Sequence, residues 1–176
     1  MGYWGTRGLR GNSFEEMINM TNKVYQERGL AIIQKIPTPI TPIKLDKGRN
    51  TITLAYFDKK STIDYIGAVQ GIPICFDAKE TNQGRLPLQN IHTHQLEFME
   101  AFKKQGGVAF LLVHCKDKDE CYFLTLEILQ AYWYEAKNGG RKSIPYSAFE
   151  KKYLVENKNG YLVHYLDAIN TYLMEG

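Results

Sequence analysis

Residues 62–81 read TIDYIGAVQGIPICFDAKET. A short strand is predicted around Thr62–Ile66, then a turn ending at Gly71, then a strong strand over Ile72–Lys79, where apolar and aromatic residues run almost unbroken. Side chains two apart on a strand share a face, so Asp77 and Lys79 project together while Ile74, Phe76 and Ala78 enter the opposite layer. Thirteen positions separate Asp64 from Asp77, the spacing at which a hairpin returns the first carboxylate beside the second.

On the N-terminal side, Ser13 and Glu16 have the spacing of a capping box, and Phe14, Met17, Ile18, Thr21 and Tyr25 then fall on one helical face that ends at Gly29. Leu30–Ile36 is a strand candidate. The prolines at 37, 39 and 42 exclude a helix or a central strand after it. Ile43–Phe57 reads as strand, tip, strand, with Lys44, Lys47 and Arg49 at a basic tip. A helix is predicted over 92–105 with Leu96, Met99, Ala101 and Phe102 as its inner stripe, stopped by Gly106 and Gly107. VAFLLVH (108–114) is a buried strand by length and composition, and ECYFLTL (120–126) is the next. Helices over about Glu127–Lys137 and Val163–Met174 complete an α/β pattern around a mixed sheet.

The chain has 176 residues, 44% hydrophobic, enough for one sizeable core, so a flexible basic arm (1–12) and one domain (13–176) are expected. No stretch approaches the ~20 apolar residues of a membrane span, and the start, MGYWGTRGLRG, has no apolar signal core, so a cytoplasmic protein without membrane contact is expected. Three cysteines without a CxxC pair argue against a disulfide framework or structural zinc. Residues 1–60 carry ten basic side chains against five acids, whereas residues 61–100 carry two against five. One surface would attract a polyanion and another would hold cations, although an ordinary solvated surface has the same counts.

Two carboxylates with a backbone carbonyl and water make a hard oxygen site for Mg²⁺ or Mn²⁺, and a neighbouring ammonium offsets transition-state charge at a phosphodiester. Asp64, Asp77 and Lys79 supply those groups. On this pattern alone a turn aspartate and a surface Asp with a Lys two positions on is the stronger reading, because acids and lysines are common. His92 and His94 lack a third ligand at suitable spacing, so solvent or DNA contact is expected rather than zinc. Cys75 shares a strand face with Asp77, but nothing in the sequence supplies the base and oxyanion donor of a thiol enzyme.

RGNSFEEMINMTNKVY (10–25), QKIPTPI (34–40), AYFDKKSTIDYIG (55–67), FDAKET (76–81) with PLQNIHTHQLEFM (87–99), YFL (122–124) and NGGRKSI (138–144) together resemble the RecU family of Holliday junction resolvases, within the PD-(D/E)xK nuclease superfamily. The resemblance implies a restriction-endonuclease-like fold with a projecting hairpin stalk at about 43–57, here a few residues short, and a homodimer that resolves four-way junctions by paired metal-dependent hydrolysis. It makes Asp64 a metal ligand, Asp77 the second ligand in place of the family's usual glutamate, and Lys79 the catalytic lysine. Glu15 matches an acid on the first helix that approaches the same metal, its plain alternative being a residue favourable to the helix dipole. Gln95, at the start of the helix after the active strand, is expected to contact water or a phosphate. Arg10, Lys44, Lys47, Arg49, Lys59 and Lys60 are the expected DNA contacts, and recombinase or branch-migration machinery are further expected partners. A non-catalytic junction-binding or recombinase-regulating protein, and a non-selective nuclease, are the competing readings.

Overall fold

The computed structural model describes residues 13–57 and 62–175. The expected basic arm with Arg10, and the expected contacts Lys59 and Lys60, lie outside the described residues.

In chain order the elements are α1 (Phe14–Glu27), β1 (Ala31–Lys35), β2 (Ile40–Asp46), β3 (Thr51–Phe57), β4 (Tyr65–Val69), β5 (Ile72–Thr81), β6 (Arg85–Pro87), α2 (Thr93–Lys104), β7 (Val108–Cys115), β8 (Glu120–Thr125), α3 (Leu126–Lys137), β9 (Ser143–Pro145), β10 (Leu154–Val155) and α4 (Leu166–Glu175). The main sheet has the order β1-β4-β5-β7-β8-β10. Of its pairs only β5 and β7 are parallel, and α2 lies in the crossover between them. This is the mixed α/β sheet the sequence implies, with β2 and β3 forming a separate two-stranded hairpin.

Strand period divides the core in two. Ile74 and Phe76 of β5, Phe110 and Leu112 of β7, and Phe123 of β8 enter one layer with α1 and α4. Cys75, Leu111, Val113 and Leu124 enter the other with Leu96, Met99 and Leu129 of α2 and α3. The first layer contains a row of stacked rings across four strands, with Tyr65–Phe76, Phe76–Phe110 and Phe110–Phe123 centroids 4.7, 4.9 and 4.3 Å apart.

α1 begins where the capping-box spacing puts it: Glu16 N donates to Ser13 Oγ at 3.2 Å and Ser13 N donates to Glu16 Oε2 at 2.7 Å. Elsewhere the structure differs from expectation. The first strand of the 62–81 hairpin runs over Tyr65–Val69 rather than Thr62–Ile66, because Gln70 and Gly71 (φ 48° and 89°) form a two-residue turn with both φ positive, and pairing extends from Val69↔Ile72 to Tyr65↔Phe76. Ala101 is exposed; the inner stripe of α2 is Gln95, Leu96 and Met99 with Phe98 and Phe102, since a position two from Met99 lies across the helix. The C-terminal helix starts at Leu166 rather than Val163, whose N–H donates instead to Thr21 Oγ1 of α1 at 3.0 Å. The stalk ladder begins at Ile40, including Pro42, which a two-stranded ribbon tolerates beside the register shift between Pro42 and Lys44. β6, β9 and β10, two or three residues each, are too short to carry a periodic signal in the sequence.

Candidate active site

The tight turn of the β4–β5 hairpin builds the site. One position beyond Tyr65↔Phe76 the same register sets Asp64 opposite Asp77. The two are fastened reciprocally: Asp64 N–H donates to Asp77 Oδ1 at 3.1 Å, and Ala78 N–H donates to Asp64 Oδ2 at 3.0 Å. Asp64 is half-buried, whereas Asp77 is fully buried.

Asp77 points toward α2, where Gln95 Nε2 donates to its Oδ1 and Oδ2 at 3.1 and 3.0 Å. Gln95 Oε1 accepts from His92 N–H at 2.9 Å, which fixes the amide: its oxygen faces a backbone donor at the helix start, so its NH₂ faces the carboxylate. Gln95 therefore has a more specific place than the expected water or phosphate contact. Lys79 Nζ, largely buried, ion-pairs with Asp77 Oδ2. Burial pushes the Asp77 carboxyl up to about 7; Lys79 opposes the rise and Asp64 adds to it.

A buried carboxylate held this far above its ordinary range, beside a second carboxylate, gains from a nearby cation, and the oxygen donors suit Mg²⁺ or Mn²⁺. Among the described residues no three His, Cys, Asp or Glu side chains converge in metal-holding geometry. An ion at Asp64 and Asp77 would thus draw most of its ligands from water and substrate oxygens, the habit of Mg²⁺.

Glu15 sits at the margin of this set. Its carboxylate ion-pairs with Lys35 of β1, and with Ala78, Lys79 and Glu80 it lines a cavity of about 310 Å³. Tyr65 OH donates to Glu15 O at 3.4 Å and to Asn19 Oδ1 at 3.1 Å, tying α1 to the start of β4. Asp64, Asp77, Lys79 and Gln95 are brought together; Glu15 reaches the same strand from the α1 side.

Cys75 is buried and its thiol is pushed up to about 12, chiefly by burial with Asp77 adding, so it holds almost no thiolate at neutral pH and is no nucleophile. His92 and His94 stack on each other, ring centroids 5.3 Å apart, without joining a ligand cluster among the described residues.

Lys44, Lys47 and Arg49 are exposed on the separate hairpin. Its tip is fastened by Asp46 Oδ1, which accepts from Gly48 N–H at 3.0 Å and Arg49 N–H at 3.2 Å. Ile43, Leu45, Ile52, Leu54, Tyr56 and Phe57 of the same ribbon are exposed as well.

The family model for recombination protein U, RecU, matches residues 9–171, which span the hairpin, the crossover helix and both carboxylates. The chain belongs to the RecU family. It is 44% identical over 168 residues to the Holliday junction resolvase RecU of Lactococcus lactis subsp. lactis, covering 93% of this chain and 78% of that protein. The Holliday junction resolvases RecU of Pediococcus pentosaceus and Streptococcus gordonii are 41% and 42% identical, over 93% and 95% of this chain and 84% and 85% of theirs. Among solved structures, the Holliday junction resolvase Hjc of Archaeoglobus fulgidus aligns with a TM-score of 0.44 and 10% identity, over 75% of this chain and 90% of that one.

Proposed function

We propose that this protein is a divalent-metal-dependent endonuclease that resolves four-way DNA junctions by paired hydrolysis in opposed strands. The observation that carries this reading is the fastened Asp64–Asp77 pair with Lys79 beside it. Membership of a family whose curated relatives bear the name Holliday junction resolvase supports the choice of substrate.

Asp64 and Asp77 would hold the ion, and Gln95 keeps the Asp77 carboxylate aimed while satisfying its lone pairs. When bound, Mg²⁺ or Mn²⁺ supplies activation of a water nucleophile and neutralisation of charge at the phosphodiester. Lys79, beside Asp77, would place its ammonium where negative charge grows on the phosphodiester. Glu15, on the α1 side, would set a further carboxylate in the cavity that Ala78, Lys79 and Glu80 line.

One such centre per chain cuts one strand, so symmetric resolution needs two chains related by a two-fold axis. The exposed apolar ribbon of β2 and β3 supports a homodimer organised around the hairpin, because an isolated two-stranded ribbon is marginal alone and its apolar surface favours cover. Residues 13–176 act as one nuclease domain in this reading, and action on DNA in the cytoplasm belongs to it. Among the described residues no helix is long and apolar enough to cross a membrane.

The test is cleavage of a labelled four-way junction beside a linear duplex of equal sequence, with Mg²⁺, with Mn²⁺ and with chelator. Metal-dependent, symmetric cuts confined to the junction are expected. Equal cutting of both DNAs favours the non-selective nuclease, and binding without cutting in either metal favours the non-catalytic reading.

A further inference from the structure

A cavity of about 700 Å³ lies outside the Asp64–Asp77 centre, between β6 with the 3-10 helix Leu88–Asn90 on one side and the end of α3 with the segment entering β9 on the other. Four cations line it, Arg85, Lys137, Arg141 and Lys142, and no Asp or Glu does. All four are exposed, and among the described residues none of them forms an ion pair with a carboxylate. Their frame is built. β6 and β9 pair through Leu86↔Ile144, both side chains fully buried, and Leu88 N–H donates to Lys142 O at 3.1 Å. The short ladder thus holds Arg85 and Arg141, 56 positions apart in sequence, on one wall system.

Trp133 of α3 supplies the remaining wall. Its indole Nε1 is buried and has no hydrogen-bond partner among the described residues, so the half-buried ring presents carbon rather than its N–H to the cavity. Lys137 Nζ lies 5.5 Å from the Tyr134 ring centroid and Arg141 Nε donates to Ser143 Oγ at 3.3 Å, which leaves the cationic charge without a carboxylate ion pair. An aromatic surface ringed by such cations matches the chemistry of an unpaired nucleotide, whose base face stacks while its flanking phosphates meet Arg and Lys. A duplex hides its base faces and offers only the phosphates.

The cavity adjoins the active strand. Thr81, two residues past Lys79, donates through Oγ1 to Arg85 O, and Ile91 of the cavity wall precedes the His92–Gln95 turn that clamps Asp77. We infer that this cavity binds an unpaired stretch of the DNA strand next to the scissile phosphate, with a base stacked on Trp133. Its role rests on the nuclease reading and adds to that reading a second, metal-independent hold on DNA.

Trp4 and Trp133 are the two tryptophans, so a Trp4→Phe chain reports on Trp133 alone. Titration of that chain with a short oligothymidylate, without divalent metal, is expected to quench its emission saturably. Arg141→Ala with Lys142→Ala, both exposed, should weaken this binding at least about fivefold and lower the salt dependence by about 0.7 for each phosphate no longer neutralised. Trp133→Phe should keep most of the affinity and Trp133→Leu should not. Oligothymidylate binding detected by anisotropy with unchanged Trp133 emission would overturn the inference, as would quenching reproduced by inorganic phosphate or by a blunt duplex of equal length. The outcomes separate the two readings: junction cleavage without quenching removes the strand site alone, whereas quenching without cleavage in any metal supports the strand site and removes the nuclease reading.

Discussion

Gln95 donates to both carboxylate oxygens of Asp77, at 3.1 and 3.0 Å, while its own oxygen is held by the His92 N–H. A buried acceptor left unpaired costs about 1–3 kcal/mol, and more for a charged group, so this amide satisfies the carboxylate and sets its aim.

Gln95→Ala should lower junction cleavage while leaving junction binding close to wild type. Gln95→Glu should be worse, since it sets a second carboxylate against a buried one. Comparing Mn²⁺ affinity by calorimetry across the three proteins checks the order: wild type tightest, then Ala, then Glu.

The Asp77 carboxyl, raised to about 7 by burial, carries a proton over much of the range below neutrality in the metal-free protein. An ion arriving there displaces that proton. Apparent metal affinity should therefore rise by up to about tenfold per pH unit below about pH 7 and level off above it. Calorimetry in two buffers of different ionisation enthalpy counts the protons: release approaching one below neutrality, falling towards none above, is expected. Metal binding with no proton release in acid would place the ion elsewhere.

Lys79→Ala should reduce turnover by at least about a hundredfold, the scale on which a single electrostatic donor to the transition state acts. Its folding should survive, because β5 is held by ladders to β4 and β7 and by Phe76 and Ile74 in the core. Circular dichroism and a melting curve distinguish this from collapse of the strand.

Replacing Lys44–Asn50 by a short neutral turn should weaken junction binding much more than duplex binding and flatten the salt dependence in proportion to the phosphates the tip neutralises. Asp46→Ala should do part of the same, by freeing the tip that Asp46 Oδ1 holds at Gly48 and Arg49. Equal weakening on both DNAs would make the hairpin a general electrostatic patch.

The site was legible where local rules act alone. Strand parity set Asp77 and Lys79 on one face, and a hairpin of the right length returned Asp64 to them. The capping box at Ser13 and the buried run of β7 were equally plain, because each is fixed by neighbours in sequence. What escaped depends on distant partners. Gln95 became a clamp because α2 packs its first turn against β5, which its position in HTHQ does not state. The start of α4 moved because Thr21, 142 residues away, takes the N–H of Val163. The cations around Trp133 come from segments joined only by the three-residue ladder of β6 and β9, a pairing with no periodic signature.

Asp77→Asn keeps the size of the side chain and removes one metal-binding charge. Mapped on a labelled four-way junction in Mg²⁺, the wild-type protein should give symmetric nicks in two opposed strands, and the Asp77→Asn protein should give none while retaining the junction in a band-shift assay. Cutting by Asp77→Asn at close to the wild-type rate would contradict the placement of the metal at Asp64 and Asp77, and with it the assignment of this centre as the nuclease site.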